Sequence, residues 1–159
     1  MSGIESGKML DRLAGMRASE FLLHRGQMLL LNRLVEIGPD NALCDWRVLE
    51  SNEFAVPGFG VPSYVGVECM AQCIAVLAGA RARIRGSSPP LGLLLGTRHY
   101  KASVQFFEVG VNYHIACREL IRDEEGMGSF DCQILLEGES VATGRLTALE
   151  QQQGKSVNG

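Results

Sequence analysis

Glu68 has the setting that points most directly to chemistry. It stands between Val67 and Cys69, in a run of small and apolar residues from Val65 to Ala78 that reads as a helix. Glutamate is almost never fully buried without a partner. A carboxyl group about two turns into an apolar helix is expected to have a raised pKa, which suits a general acid. Gln72 follows four residues later on the same helical face, where its carboxamide can orient the carboxylate. Pro62 precedes the run, so the amides of Ser63, Tyr64 and Val65 open the helix as orphan donors suited to holding developing negative charge. A base would complete such a site. Three histidines compete for that role, His24, His99 and His114, and their positions in the sequence do not choose among them. The competing reading of Glu68 is a carboxylate held by a core hydrogen bond. Cys69 and Cys73, four residues apart on the same stretch, read as packing.

The elements that must position these residues follow from hydropathy pattern and breakers. Met9, Leu10, Leu13 and Met16 recur near helical spacing, so residues 1–20 are expected to form an arm or a short helix. Met28 to Ile37 and Ala42 to Leu49 read as a hairpin turned by Gly38-Pro39-Asp40-Asn41. Ser51 to Pro62, with two prolines and two glycines, reads as a loop. Residues 63–85 form the long helix, with Ser63 as a potential cap, three arginines in the last turns, and a stop at Gly86-Ser87-Ser88-Pro89-Pro90. Strand signals follow. Leu91–Gly96 and Tyr100–Phe107 read as one interrupted strand, succeeded by Val111–Arg122, Gly128–Leu136 and Val141–Leu149. A helix apolar on nearly all faces needs a cover, and a curved antiparallel sheet supplies one. The expectation is a single α+β domain over residues 21–149, with a polar, disordered tail over 150–159.

The 159 residues are 46% hydrophobic with a formal net charge of −3, enough for one cored domain and too apolar for disorder. A pI near 5.6 leaves no basic footprint for nucleic acid. No unbroken run of 18 apolar residues predicts a membrane span, and no signal peptide is evident. Five cysteines without a CxxC pair predict free thiols in the cytoplasm and no metal site. GxSxG, P-loop and HExxH motifs are missing, as is a GxGxxG after a strand.

Val61-Pro62-Ser63-Tyr64-Val65, followed by Glu68-Cys69-Met70-Ala71-Gln72, resembles the PGVLxxEAMAQ helix start of the 3-hydroxyacyl-ACP dehydratases, enzymes of the hotdog fold. Leu23-His24-Arg25-Gly26-Gln27 through Arg33 resembles their LPHRxPFLLVDR segment, and Thr97-Arg98-His99-Tyr100-Lys101 their ARFKxPV strand. The likeness extends from about residue 20 to 149 and implies a long helix inside a curved sheet. It also implies a dimer of identical or different chains and removal of water from a 3-hydroxyacyl chain carried on acyl carrier protein. No metal or organic cofactor is implied. By resemblance Glu68 is the acid, the Ser63 or Tyr64 amide holds the thioester oxygen, Gln72 orients Glu68, and Arg98 and Lys101 meet the carrier arm or carrier protein. One departure matters. The family's usual histidine lies fourteen residues before the glutamate, where this chain has Phe54. The pattern is similar to a divergent branch, including predicted dehydratases of aryl polyene biosynthesis, that keeps a histidine in the first-strand motif; here that is His24. Two other functions fit the same fold: a thioesterase using the helix carboxylate to activate water, and a non-catalytic partner that binds carrier protein.

Overall fold

The computed structural model describes residues 3–23 and 29–151. In chain order these form helix α1 (Gly3–Leu13), strands β1 (Leu34–Ile37), β2 (Asn41–Arg47) and β3 (Val61–Pro62), and helix α2 (Gly66–Ile84). Strands β4 (Leu91–Ala102), β5 (Phe106–Phe107), β6 (Asn112–Arg122), β7 (Met127–Leu136) and β8 (Glu139–Gln151) follow. Six of the strands make one antiparallel sheet in the order β1-β2-β6-β7-β8-β4, and β3 pairs with β5. Helix α2 packs against the face of this sheet, touching β2, β4, β6, β7 and β8. One long helix against a large antiparallel sheet is the hotdog architecture, as the sequence predicts.

Period-two alternation explains the sheet. Tyr113, Ile115 and Cys117 on β6 and Phe130, Cys132 and Ile134 on β7 are buried, while their neighbours face outward. Against them α2 buries Cys69, Met70, Cys73, Val76, Leu77 and Ala80. By length and composition alone the run Ser63–Ile84 could cross a membrane; most of it is instead covered by the sheet. Gly79 lets α2 approach residues 18–22, because a Cβ there would overlap the carbonyl of Phe21.

Several local expectations change. The first strand is shorter than Met28–Ile37. Residues 29–32 lie outside any strand and the strand itself is Leu34–Ile37, although Asn32 and Arg33 already bond the main chain of β2 at Asp45. The loop before α2 carries a two-residue strand, Val61–Pro62, paired with Phe106–Phe107. Ser63 makes no side-chain cap; Ser63–Val65 is a turn of 3-10 helix leading into α2. Glu68 therefore stands in the first turn of the α-helix rather than two turns in. Strand β4 is continuous but carries two register shifts, and β8 runs to Gln151, past the boundary at 149. Residues 152–159, most of the expected tail, lie outside the described residues.

Candidate active site

The start of α2 is fixed by its neighbours. Trp46 of β2, Phe107 of β5 and Tyr113 of β6 form a buried aromatic cluster, with ring centroids 5.1 Å apart for Trp46–Phe107 and 5.2 Å for Phe107–Tyr113. Phe107 pairs in register with Val61, so the cluster anchors the chain just before the helix. Gly60, at φ +108°, makes this approach feasible, since a Cβ would overlap the Phe107 carbonyl. Ser63 is held next: its amide donates to the Gln105 carbonyl at 2.9 Å. That bond occupies one of the two amides proposed for the oxyanion. The Tyr64 amide remains, at the second position of the 3-10 turn with no preceding turn to bond.

Glu68 is half-buried, and Gln72 is the one polar side chain among the described residues that is fully buried. Gln72 Nε2 donates to Glu68 Oε1 at 3.2 Å. Gln72 Oε1 accepts from the amides of Leu30 at 2.9 Å and Leu31 at 3.4 Å. The two amides require an oxygen, which settles the carboxamide orientation and turns the NH2 toward Glu68. The expected pairing of Gln72 with Glu68 is present in the structure. What the sequence does not show is that the same carboxamide ties Glu68 to residues 30 and 31.

Glu68 opens onto a groove of about 130 Å³ between α2 and the sheet. Ala71, Ala75 and Ala78 line the helix side, and Gly128, Phe130 and Ala148 the sheet side. Alanines on the helix wall, and Gly128 and Ala148 on the sheet wall, leave room for a slim chain. The far end is polar. Arg81 donates to Glu119 at 2.8 Å and to the Pro39 carbonyl, and Arg122 pairs with Glu150 at 2.9 Å. The arginines of the last helical turns are thus largely committed to partners within the chain. Arg81 is neutralised by Glu119, and Arg83 lies 4.0 Å from Glu20 and over the Phe21 ring.

The remaining candidates are scattered. His24 lies outside the described residues, as does the Arg25-Gly26-Gln27 segment beside it. His99 is exposed on β4, and His114 lies on the outward side of β6 opposite Asp45. Arg98 and Lys101 are exposed on β4 and do not line the groove of Glu68. Phe59 and Tyr64 are 64% and 71% exposed, and Phe59 stacks on Phe106 with centroids 5.3 Å apart. Phe54, at the position of the usual histidine, packs partly buried against the core. The five cysteines are buried and free, and among the described residues no cluster could hold a metal ion. Tyr100 was not singled out from the sequence as a site residue. Its hydroxyl donates to the Ser63 carbonyl, and burial pushes its pKa up to about 12.

Comparison with solved structures places the chain among hotdog proteins of several activities. A chain of the dehydratase heterocomplex ApeI:P from Xenorhabdus doucetiae superposes with a TM-score of 0.81 at 27% identity, over 87% of this chain and 93% of that one. A hypothetical thioesterase with coenzyme A from Streptococcus pneumoniae gives 0.59 at 10% identity, over 76% and 86%. The sigma28-regulated virulence protein Cj0977 from Campylobacter jejuni gives 0.61 at 10%, over 95% and 96%. The last two are similar in fold alone. A search of curated protein sequences finds no significant match. The ApeP-like family, described as ApeP dehydratase, matches residues 16–158, and this chain belongs to that family of dehydratases.

Proposed function

We propose that the protein acts in the removal of water from a 3-hydroxyacyl thioester carried on acyl carrier protein, leaving a trans-2-enoyl thioester. The supporting observation is the Glu68–Gln72 pair at the start of α2, with Glu68 on the wall of a groove whose helix side is lined by alanines, in a chain of the ApeP-like family. Glu68 protonates the departing hydroxyl. The base takes the proton from C2, the electron pair forms the double bond, and water leaves with the proton from Glu68. His24 is the proposed base. The amides of Leu30 and Leu31, six and seven residues after it, are bound by the carboxamide that holds Glu68, which supports a base drawn from this stretch of sequence. The Tyr64 amide holds the thioester oxygen. Arg98 and Lys101, exposed on β4, meet the acidic carrier protein, and the reaction takes place in the cytoplasm without metal or organic cofactor.

A second reading is supported by Phe54, which puts a core side chain where the family's usual base stands, and by the ApeI:P heterocomplex as a two-subunit relative. In that reading the chain binds carrier protein beside a different catalytic subunit. Strand β4 is the last in its sheet, and Leu94 and Leu95 on it are 41% and 50% exposed. Such an apolar edge calls for a second chain in either case.

The test is turnover of a 3-hydroxyacyl carrier protein followed by mass spectrometry, for the wild type beside Glu68→Gln and His24→Ala. Water loss by the wild type alone, abolished in both folded variants, is the expected result. Water loss only after mixing with another subunit, unchanged by either substitution, establishes the binding role. Release of free thiol would make the protein a thioesterase.

A further inference from the structure

We infer that Tyr100 is a positioning residue for this site, aiming the Tyr64 amide through the peptide group that joins Ser63 to Tyr64. The inference rests on the proposed role of that amide at the thioester oxygen.

The hydroxyl of Tyr100 donates to the carbonyl oxygen of Ser63. In a trans peptide the carbonyl of one residue and the N–H of the next lie in one plane and point in opposite directions. The same oxygen also accepts the Gly66 amide that closes the 3-10 turn, so Tyr100 is the second donor on it, and the two together set the direction of the Tyr64 N–H, away from Tyr100. It also draws electron density toward that oxygen, which makes the N–H at the other end of the same group a stronger donor. The Ser63 amide is fixed separately by Gln105 at 2.9 Å, so the peptide groups on both sides of Ser63 are held.

The surrounding residues are arranged to admit this contact. Arg98 pairs with Arg145 and Lys101 with Thr143, so β4 carries one residue more than β8 between these pairs. The extra residue is a bulge that re-aims a side chain. His99, within it, has φ of +57°, a left-handed conformation that a non-glycine residue adopts at a cost. The outcome is Tyr100 turned inward between two exposed neighbours. Gly66 lies under its hydroxyl, where a Cβ would overlap the oxygen, and Gly144 on β8 lies beside its ring, where a Cβ would come within 3.3 Å. Space is thus left on two elements for one tyrosine whose polar atom reaches the helix start.

Tyr100→Phe keeps the ring and removes the donor. In the wild-type chain, alone or with whichever subunit activity requires, the variant is expected to lower kcat roughly tenfold with KM within about twofold. This is less than the 10²–10³ lost when an oxyanion donor is removed outright. Because the phenol stays protonated to about pH 12, the ratio of the two rates should be constant from pH 6 to 9. The Tyr64 amide proton should move upfield in the NMR spectrum, with the core resonances of α2 in place. Unchanged kcat in an active protein, a rate ratio that varies with pH, or an unshifted Tyr64 amide overturns the inference. If the wild type removes no water alone or in complex, the dehydratase reading fails by itself. The Tyr64 shift then still decides whether Tyr100 governs that peptide.

Discussion

Replacing Gln72 with methionine tests whether one carboxamide ties the proposed acid to residues 30 and 31. Methionine has nearly the same length and volume and can fill the same space, so the packing term is small. What is lost is an acceptor for two amides. Leu30 and Leu31 are 4% and 2% exposed, so water does not replace it. A buried donor left unpaired costs about 1–3 kcal/mol. The 2.9 Å bond from Leu30 counts in full and the 3.4 Å bond from Leu31 in part, giving about 2–4 kcal/mol in all. In a domain of this size that lowers Tm by about 5–15 °C, at roughly 2–4 °C per kcal/mol. Gln72→Glu is the companion. It keeps an oxygen for the two amides but sets a second carboxylate at the 3.2 Å position facing Glu68, where two carboxyl groups must share a proton. The shared proton is held more tightly folded than unfolded, so its stabilising contribution is full below pH ~4.3 and is lost as pH rises through the folded value. The Gln72→Glu deficit should therefore be small at pH 4 and large at pH 7, while that of Gln72→Met stays level. Thermal unfolding followed by circular dichroism reads both. A methionine variant within 2 °C of wild type, or equal deficits for the glutamate variant at both pH values, would refute the reasoning.

Two further perturbations probe the scaffold behind the site. Burial holds the Cys69 thiol well above its ordinary pKa; contact with the Cys117 and Cys44 thiols, together with burial, raises Cys73; and burial raises Cys132. All three stay protonated in the fold when they would ionise in the open chain. Stability should be level up to about pH 8.5 and then fall by about 1.4 kcal/mol per pH unit for each thiol, or roughly 4 together. Urea unfolding between pH 7 and 10 measures it, and a flat profile would show the thiols are not so held. Gly79→Ala should lower Tm despite alanine's better helix propensity, because its Cβ overlaps the Phe21 carbonyl and overpacking costs about 1–3 kcal/mol. A rise in Tm on differential scanning calorimetry would mean that α2 and residues 18–22 are not in that contact.

How much of this was legible in the sequence depends on whether a residue's environment is local. The helix was legible because its apolar character extends around nearly all its faces, and such a helix has only a sheet to lie against. Glu68 and Gln72 were legible as a pair because helical geometry guarantees that residues four apart meet. The second half of Gln72's role was not, since its oxygen is claimed by amides more than 40 residues away. That claim accompanies the short first strand: the Leu30 and Leu31 amides bond to a side chain, and main-chain bonding to β2 begins only at Asn32, whose amide donates to the Asp45 carbonyl. Tyr100 was hidden for a related reason. Strict alternation along β4 assigns faces by parity, and one extra residue between Arg98 and Lys101 reverses the parity beyond it. No pattern within β4 marks that bulge; only the pairing with β8 does. The residues that tune Glu68 and the Tyr64 amide are thus those whose partners come from distant segments.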